Sequence, residues 1–287
     1  MVVKKFVQST LSKFGYRLTK TPLFSVKEYD GVNKESIERK LFFNVGAGAF
    51  SHPYWTNIDH YSNAYKSVQT KFLQYDLMSC TDLPIEPETA ECFYSSHTVE
   101  HVSDDAVRNL FLQAHKALRR GGVIRITTPD IELNYSAYLS RDKNFYYFTE
   151  MHSKAGSFEH KFKIPYNQFS IQQLFLHQIA GQLSVNDIRE GGSGIKLSDS
   201  EIDEILNSNP LHDACNEFTK LCKFDNRQTD NHINWFSYNK LELMLKDAGF
   251  KTCYKSGFGQ SHFAYLRNVS YFDNTHPKIS LYVEGIK

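Results

Sequence analysis

Short apolar runs and longer amphipathic segments alternate along the chain from residue 41 onwards. Residues 41–45 are apolar except for Asn44, which is typical of a strand buried on both faces of a parallel sheet. Four further strands are predicted at residues 55–58, 71–75, 90–94 and 123–127. The alternation predicts an α/β fold: a doubly wound, mostly parallel sheet that binds ligands at the carboxyl ends of its strands.

A helix is predicted between the last two of these strands. Ser103 can cap it, the acids that follow suit the helix dipole, and residues 106–118 carry one apolar face. We expect the arginines at 119–120 to lie in its last turn. The glycines at 121–122 should then end the helix.

Residues 131–235 interrupt the strand pattern. Aromatic residues crowd the start of this segment, and amphipathic helices are predicted at residues 170–183 and 198–207. We interpret the segment as a lid or substrate insertion. Its aromatic side chains could stack on a sugar, or they could form a small core under the lid.

The sheet pattern returns after the insertion. A helix is predicted at residues 241–248, a strand at 250–255, and a final strand at 279–284 that pairs antiparallel beside it. The chain therefore divides into four parts: 1–40, an N-terminal basic helix and connector; 41–130, the cofactor-binding half; 131–235, the insertion; and 236–287, the C-terminal helix and last two strands of the same sheet.

Glycine residues follow directly after the first predicted strand, and an acidic residue ends the second predicted strand. Gly46 and Gly48 allow positive φ and let a ligand approach the backbone closely. Asp59 could accept hydrogen bonds from both hydroxyls of a ribose. Together they indicate an adenosine-containing cofactor.

Five motifs stand in order within residues 41–130: NVGAG, NID, QYDL, SSHTVEHV and LRRGGVIRITTPD. With them the chain resembles the class I methyltransferases that use S-adenosylmethionine, and most closely the branch with an EH pair after the fourth strand. The resemblance implies a seven-stranded, Rossmann-like sheet. Two departures concern the first motif: Asn44 replaces the usual acid, and Phe50 stands where a third glycine often occurs. The connection to the second strand is short, so the usual first helix should be truncated.

The resemblance also implies where S-adenosyl-L-methionine binds. The loop at residues 44–48 would follow the methionine part, and Asp59 would hold the ribose. Asp76 would flank the adenine, although it could equally cap the following turn. The cofactor-binding set implied in this way is Asn44, Val45, Gly46, Ala47, Gly48, Asp59, His60, Asp76, Leu77, Ser95, Ser96 and His97.

Histidines are the candidate catalytic groups. Methyl transfer from a sulfonium depends mainly on alignment, and a hydroxyl acceptor also benefits from a base within hydrogen-bond reach. His97 and His232 are the candidates for that base, since imidazole titrates near neutrality. For His101 we favour a structural role at a helix start. For Glu100 we favour an interaction with the helix dipole.

A zinc peptidase is a remote alternative, because HTVEH matches the HxxEH motif. That chemistry needs both histidines on one face of a helix. The preceding strand and the better helix cap at Ser103 instead place them in a loop or first turn. We therefore expect no metal site.

The composition limits which binding partners and which compartment we expect. The net charge of +1 gives no reason to expect nucleic-acid binding. Five cysteines without a CxxC fit a reducing compartment, and no apolar run predicts a membrane span or signal peptide, so we expect a cytoplasmic protein. The basic helix within residues 1–20 could contact an anionic membrane surface, or could dock on the domain with its lysines in solvent.

The predicted function is O-methylation of a sugar or glycan precursor, which would make the protein part of polysaccharide modification. The substrate would be a small molecule or a glycan. The alternative is a module that binds the cofactor without turnover, which Asn44 permits. The residues name neither the acceptor nor an oligomeric state.

Overall fold

The computed structural model describes residues 26–61, 72–147 and 160–287. A seven-stranded sheet has the order β3-β2-β1-β4-β5-β7-β6. Strands β1 to β5 are parallel, and β7 runs antiparallel between β5 and β6. The strands are β1 (Phe42–Val45), β2 (Trp55–Asp59), β3 (Phe72–Gln74), β4 (Ala90–Ser96), β5 (Leu118–Pro129), β6 (Thr252–Ser256) and β7 (Ser280–Ile286). The doubly wound, Rossmann-like methyltransferase sheet is thus confirmed, including its antiparallel last strand.

The described residues contain seven α-helices. They are α1 (Lys34–Glu38), α2 (Asp104–Ala117), α3 (Ile131–Ser140), α4 (Ile171–Ala180), α5 (Asp199–Ser208), α6 (Leu211–Lys220) and α7 (Tyr238–Asp247). Ser103 caps α2 as predicted, and Ser170 and Ser198 cap the predicted helices α4 and α5. No helix follows β1 before β2, as the short connection predicted.

Both faces of the central strands are buried, because alternate side chains point to opposite sides. On β1, Phe43 and Val45 belong to a core with helices α2 and α7. Phe42 points the other way, into an aromatic cluster with Tyr29 and Trp55. This arrangement explains why the strand reads as an unbroken apolar run.

The predicted end of α2 is wrong. The helix ends at Ala117, and Arg119 and Arg120 already belong to β5. The buried carboxylate of Glu91 on β4 accepts hydrogen bonds from Arg119 Nε at 2.6 Å and Ser36 Oγ at 2.7 Å, which favours extended backbone at this point. Gly122 allows close strand packing instead of ending a helix, since a Cβ there would lie 2.9 Å from the Arg119 carbonyl oxygen.

The insertion contains two helices that the sequence pattern did not reveal, α3 and α6. Together with α4 and α5 they enclose a separate hydrophobic core around Phe175, Phe218 and Trp235. Tyr138 packs on Phe175, while Tyr146 joins a further core. The described aromatic residues of the insertion therefore mainly form core, which was the alternative to sugar stacking.

Several expectations concern residues outside the described ranges. They include the basic helix within residues 1–20, the start of the third strand at Lys71, and the aromatic residue Phe148. Among the described residues, no helix is both long and apolar enough to cross a membrane. All five cysteines are described, and their thiols are free.

Arg125 connects three strands through a buried ion network. Its guanidinium is fully buried on β5 and pairs with Asp273 at 2.6 Å and with Glu284 of β7 at 2.6 Å. It also donates to Ser256 Oγ at 2.7 Å and to the Gly257 carbonyl at 2.9 Å. Both carboxylates are themselves fully buried, so the network fixes the antiparallel half of the sheet.

Replacing this arginine should destabilise the fold. Arg125→Met leaves two buried carboxylates without their cation, and the free energy of unfolding should fall by about 3–5 kcal/mol. Urea unfolding of Arg125→Met and of Arg120→Met, an exposed arginine on the same strand, measures the difference. Arg120→Met should stay within about 0.5 kcal/mol of the native protein. Equal effects of the two substitutions would contradict the structural role of the network.

Candidate functional site

A large cleft lies at the carboxyl ends of β1, β2 and β4. Its volume is about 1790 Å³, well above the ~300–1,000 Å³ of a typical small-molecule pocket. The loop after β1 and the end of β2 line one side, and residues of the insertion line the other. The cleft therefore has room for a cofactor and a second molecule.

The loop after β1 is a glycine turn with positive φ at both glycines, +69° at Gly46 and +50° at Gly48. The Gly46 amide donates to the Ile58 carbonyl of β2 at 2.9 Å. A Cβ at Gly46 would lie 2.2 Å from Thr98 Oγ1, so the turn packs directly against the segment after β4. Only glycine fits here, for reasons of both conformation and space.

Asp59 connects the end of β2 to this turn. Its Oδ2 accepts the Gly48 amide at 2.8 Å, and its Oδ1 accepts the His60 amide at 2.8 Å. The carboxylate remains partly exposed on the cleft, and each oxygen has a further lone pair for an incoming hydroxyl. Asp76 caps the turn that follows it, since it accepts the Met78 amide at 2.9 Å, and it also lines the cleft.

The structure brings nearly all predicted site residues to this one cleft. Ser95 is the exception: it is buried, its Oγ has no hydrogen-bond partner among the described residues, and it does not line the cleft. Side chains alternate along β4, so Ser95 points into the helix-covered core while its neighbour Ser96 reaches the cleft. The residues that do line it are Asn44, Val45, Gly46, Ala47, Gly48, Asp59, His60, Asp76, Leu77, Ser96, His97 and His232.

His97 is held on both sides of its ring. It has φ +51°, and its amide donates to the Thr127 carbonyl at 2.8 Å. Nε2 lies 2.7 Å from Ser280 Oγ, and Nδ1 lies 3.0 Å from Glu100 Oε1. His97 is therefore a fixed cleft residue that already has two protein partners.

Glu100 is buried, with 1% of its surface exposed. Its Oε2 accepts the Thr128 hydroxyl at 3.1 Å, and its backbone carbonyl accepts the amides of Ile233 and Asn234. Burial by itself would raise the pKa of this carboxyl, but His97, followed by His101 and His232, lowers the pKa to about 2. The expected helix-dipole role is wrong, because Glu100 lies in a three-residue 3-10 turn, Val99–His101, and points inward.

His101 and His232 meet beside Glu100. Their ring centroids are 4.7 Å apart, and one donor atom from each of the three residues lies within 4.8 Å of the others. His101 Nδ1 contacts the Asn231 carbonyl at 3.1 Å, and His232 Nδ1 contacts the Gln178 carbonyl at 2.7 Å. Burial, then the neighbouring His101, lowers the pKa of His232 to about 3, so its ring is neutral at pH 7.

This cluster differs from the peptidase arrangement that HTVEH suggests. The motif lies on a turn and not on an α-helix. His97 is not part of the cluster, since its two ring nitrogens contact Glu100 Oε1 and Ser280 Oγ. Sequence reasoning missed the roles of Glu100 and Ser280 in placing His97. The EH pair was the available signal for Glu100, whereas no local pattern pairs His97 with a serine 183 positions later.

Comparison with known families identifies one part of the chain. The family model described as a methyltransferase domain matches residues 46–126, which run from the glycine turn into β5. This part of the chain is a class I methyltransferase domain of the kind that depends on S-adenosylmethionine. S-adenosyl-L-methionine is accordingly its cofactor. A comparison with curated proteins finds no match.

Solved structures of similar proteins include several methyltransferases. The S-adenosylmethionine-dependent methyltransferase SibL is 11% identical with a TM-score of 0.37; the match covers 86% of this chain and 50% of SibL. A possible histamine N-methyltransferase from Thermotoga maritima is 13% identical, with 85% and 81% covered and a TM-score of 0.38. A methyltransferase from Mesorhizobium loti is 12% identical, with 86% and 90% covered and a TM-score of 0.38. This chain thus spans half the length of SibL.

Removing the Asp59 carboxylate should weaken cofactor binding. If Asp59 receives the ribose hydroxyls, Asp59→Ala should cost about 1.5–3 kcal/mol, the range for hydrogen bonds to a charged group, or about 10- to 150-fold in affinity. Titration calorimetry with S-adenosylmethionine measures this loss. Asp105→Ala, which removes an exposed acid on α2, is the control. An unchanged dissociation constant for Asp59→Ala would exclude the residue from the ribose site.

The glycine turn can be tested with a matched pair of substitutions. Gly46→Ala and Gly31→Ala both place a side chain at positive φ, but only position 46 meets another residue, because no heavy atom lies within 4 Å of a Cβ at Gly31. We expect Gly46→Ala to lose cofactor binding, since Thr98 and the turn must move apart. Gly31→Ala should bind normally. Normal binding by both variants would show that the cofactor does not contact this turn.

Proposed function

We propose that the chain is an enzyme that transfers a methyl group from S-adenosylmethionine to an oxygen of a sugar or glycan precursor. The observation that supports this most is the single cleft, in which the glycine turn and Asp59 face a polar wall from the insertion. A module that only stores the cofactor would not need that second wall. The proposal of a sugar or glycan precursor as acceptor rests on the polar side chains of this second wall.

The cofactor side would be formed by residues of the sheet edge. Asp59 would accept the ribose hydroxyls, and Asp76 would lie beside the adenine with Leu77. The backbone of the glycine turn would follow the methionine part, which leaves the methyl group near Ser96 and His97. The main task of these residues is alignment, because a sulfonium methyl group is already a strong electrophile.

The acceptor side is polar and charged. Arg189, Asp230 and Asn231 line it from the insertion, and Arg189 is fixed by Asp187 at 2.7 Å and Asp230 at 3.2 Å. Fixed donors and acceptors of this kind suit a hydroxyl-rich molecule, because each polar group would find a partner on it. Since the described aromatic residues of the insertion mainly form core, this support comes from hydrogen bonding and not from stacking.

His97 and His232 remain the proposed bases. His97 lies where β4 ends, beside the glycine turn, and Glu100 can stabilise the charge that it gains with a proton. To accept a proton, its Nε2 would have to exchange Ser280 for the acceptor. His232 has an Nε2 without a hydrogen bond to the described residues, but its low pKa makes it a poor proton acceptor. The contacts therefore favour His97.

Single-turnover methyl transfer tests these roles. His97→Ala should slow the reaction by about 10²–10⁴-fold with little change in cofactor affinity, as for the loss of a general base. His262→Ala, at an exposed histidine near β6, should react at the native rate. Native turnover by His97→Ala would assign the base elsewhere. Cofactor binding without methyl transfer to any of a panel of sugar and glycan acceptors would support the module without turnover.

A further inference from the structure

Glu100, His101 and His232 form a compact set of donor atoms at the wall of the cleft. The three atoms lie within 4.8 Å of one another. Bonds of about 2.0–2.2 Å to a tetrahedral ion place its ligand atoms roughly 3.3–3.6 Å apart, so small side-chain shifts would let all three bind one ion. Two of the residues are adjacent after β4, and the third comes from the far end of the insertion. The fold therefore brings the set together from distant parts of the chain.

Hydrogen bonds fix the tautomers of both histidines. A backbone carbonyl can only accept, so the Nδ1 of His101 must donate to Asn231, and the Nδ1 of His232 must donate to Gln178. Each neutral ring then carries its lone pair on Nε2. Neither Nε2 has a hydrogen bond within the described part of the chain. Metal-binding histidines are commonly oriented in this way, with the other ring N–H donated to a carbonyl.

The carboxylate supplies an independent observation. Glu100 Oε1 is buried and has no hydrogen-bond partner among the described residues, although His97 Nδ1 lies 3.0 Å away as an ion-pair contact. Glu100 Oε2 has only the Thr128 hydroxyl. These two contacts leave lone pairs of the buried carboxylate free, and a bound cation would compensate its charge further.

We propose that Glu100, His101 and His232 bind a divalent transition-metal ion. Two imidazoles and one carboxylate suit ions such as Zn²⁺, Co²⁺ or Fe²⁺ better than Mg²⁺ or Ca²⁺, which prefer oxygen ligands only. Three protein ligands leave at least one position for water or substrate. All three residues line the cleft, so that position is accessible from it.

The ion would have a direct use in the reaction, and this part rests on the proposed function. An acceptor hydroxyl bound to the ion loses its proton more readily. Its oxygen then bonds to the methyl carbon while the carbon–sulfur bond breaks, and sulfur keeps the electron pair as a thioether. The hydroxyl proton passes to a base such as His97. The ion is neither oxidised nor reduced, so the step needs no further reactant.

Cobalt titration tests the site without relying on activity. The full chain is treated with chelator and titrated with Co²⁺, whose visible absorption bands report nitrogen and oxygen coordination. The native protein should bind one ion. His101→Asn and His232→Asn keep a donor near the Nδ1 position but remove the Nε2 ligand. Each should weaken Co²⁺ binding by more than about 100-fold, which exceeds the usual effect of losing a residue that only contacts a metal ligand. His262→Asn should bind like the native protein.

Two further measurements separate the possible failures. Melting temperatures in metal-free buffer should agree among the variants, which shows that a lost site is not a lost fold. Asp59→Ala should keep the cobalt bands while it loses S-adenosylmethionine, so the metal site and the cofactor site can fail separately. An absence of cobalt bands in the native protein, or bands that persist in both His101→Asn and His232→Asn, would overturn the proposed site.

Discussion

Glu100 brings a negative charge into the interior, and the surrounding structure compensates for it. His97 and Thr128 contact its two carboxylate oxygens, and its backbone carbonyl receives two amides from the end of the insertion. One residue therefore fixes the segment after β4, contacts β5, and holds the point where the chain returns to the sheet. Without such partners, a carboxylate with 1% exposure could not remain charged.

The cofactor side of the cleft depends on the geometry of a parallel sheet. Strands β1, β2 and β4 end at one edge, so groups that are far apart in the chain meet there. The contact of Asp59 with the Gly48 amide shows this directly, because the end of β2 sets the conformation of the turn after β1. The same carboxylate can support the turn and receive a ligand, since each oxygen accepts more than one hydrogen bond.

The insertion has two different faces. Its apolar side chains enclose a separate core, and its polar side chains form the second wall of the cleft. The separation explains why an aromatic-rich sequence produces a polar acceptor region. It also explains how His232, at the end of the insertion, reaches the residues that follow β4.

The local pattern was sufficient for the sheet edge. The apolar run before Gly46, the acid at Asp59 and the cap at Ser103 predict elements whose signals lie within a few residues, and these agree with the structure. The end of α2 was not predictable in this way, because the partner of Arg119 is Glu91, which lies 28 positions away. Ser95 was predicted to face the cofactor, but its side chain lies on the core side of β4. Which side of the strand faces the cleft depends on how the strand packs in the folded protein.

By itself, the sequence determined the α/β sheet and the glycine turn, because hydrophobic period and turn chemistry are local properties. Its resemblance to the class I methyltransferases implied the cofactor. Only the tertiary structure decided which polar residues meet. His97 with Ser280, and Glu100 and His101 with His232, are contacts over more than 130 positions, set by packing of the insertion and the last strand. No local pattern encodes such distances, since they depend on where the folded core places each segment.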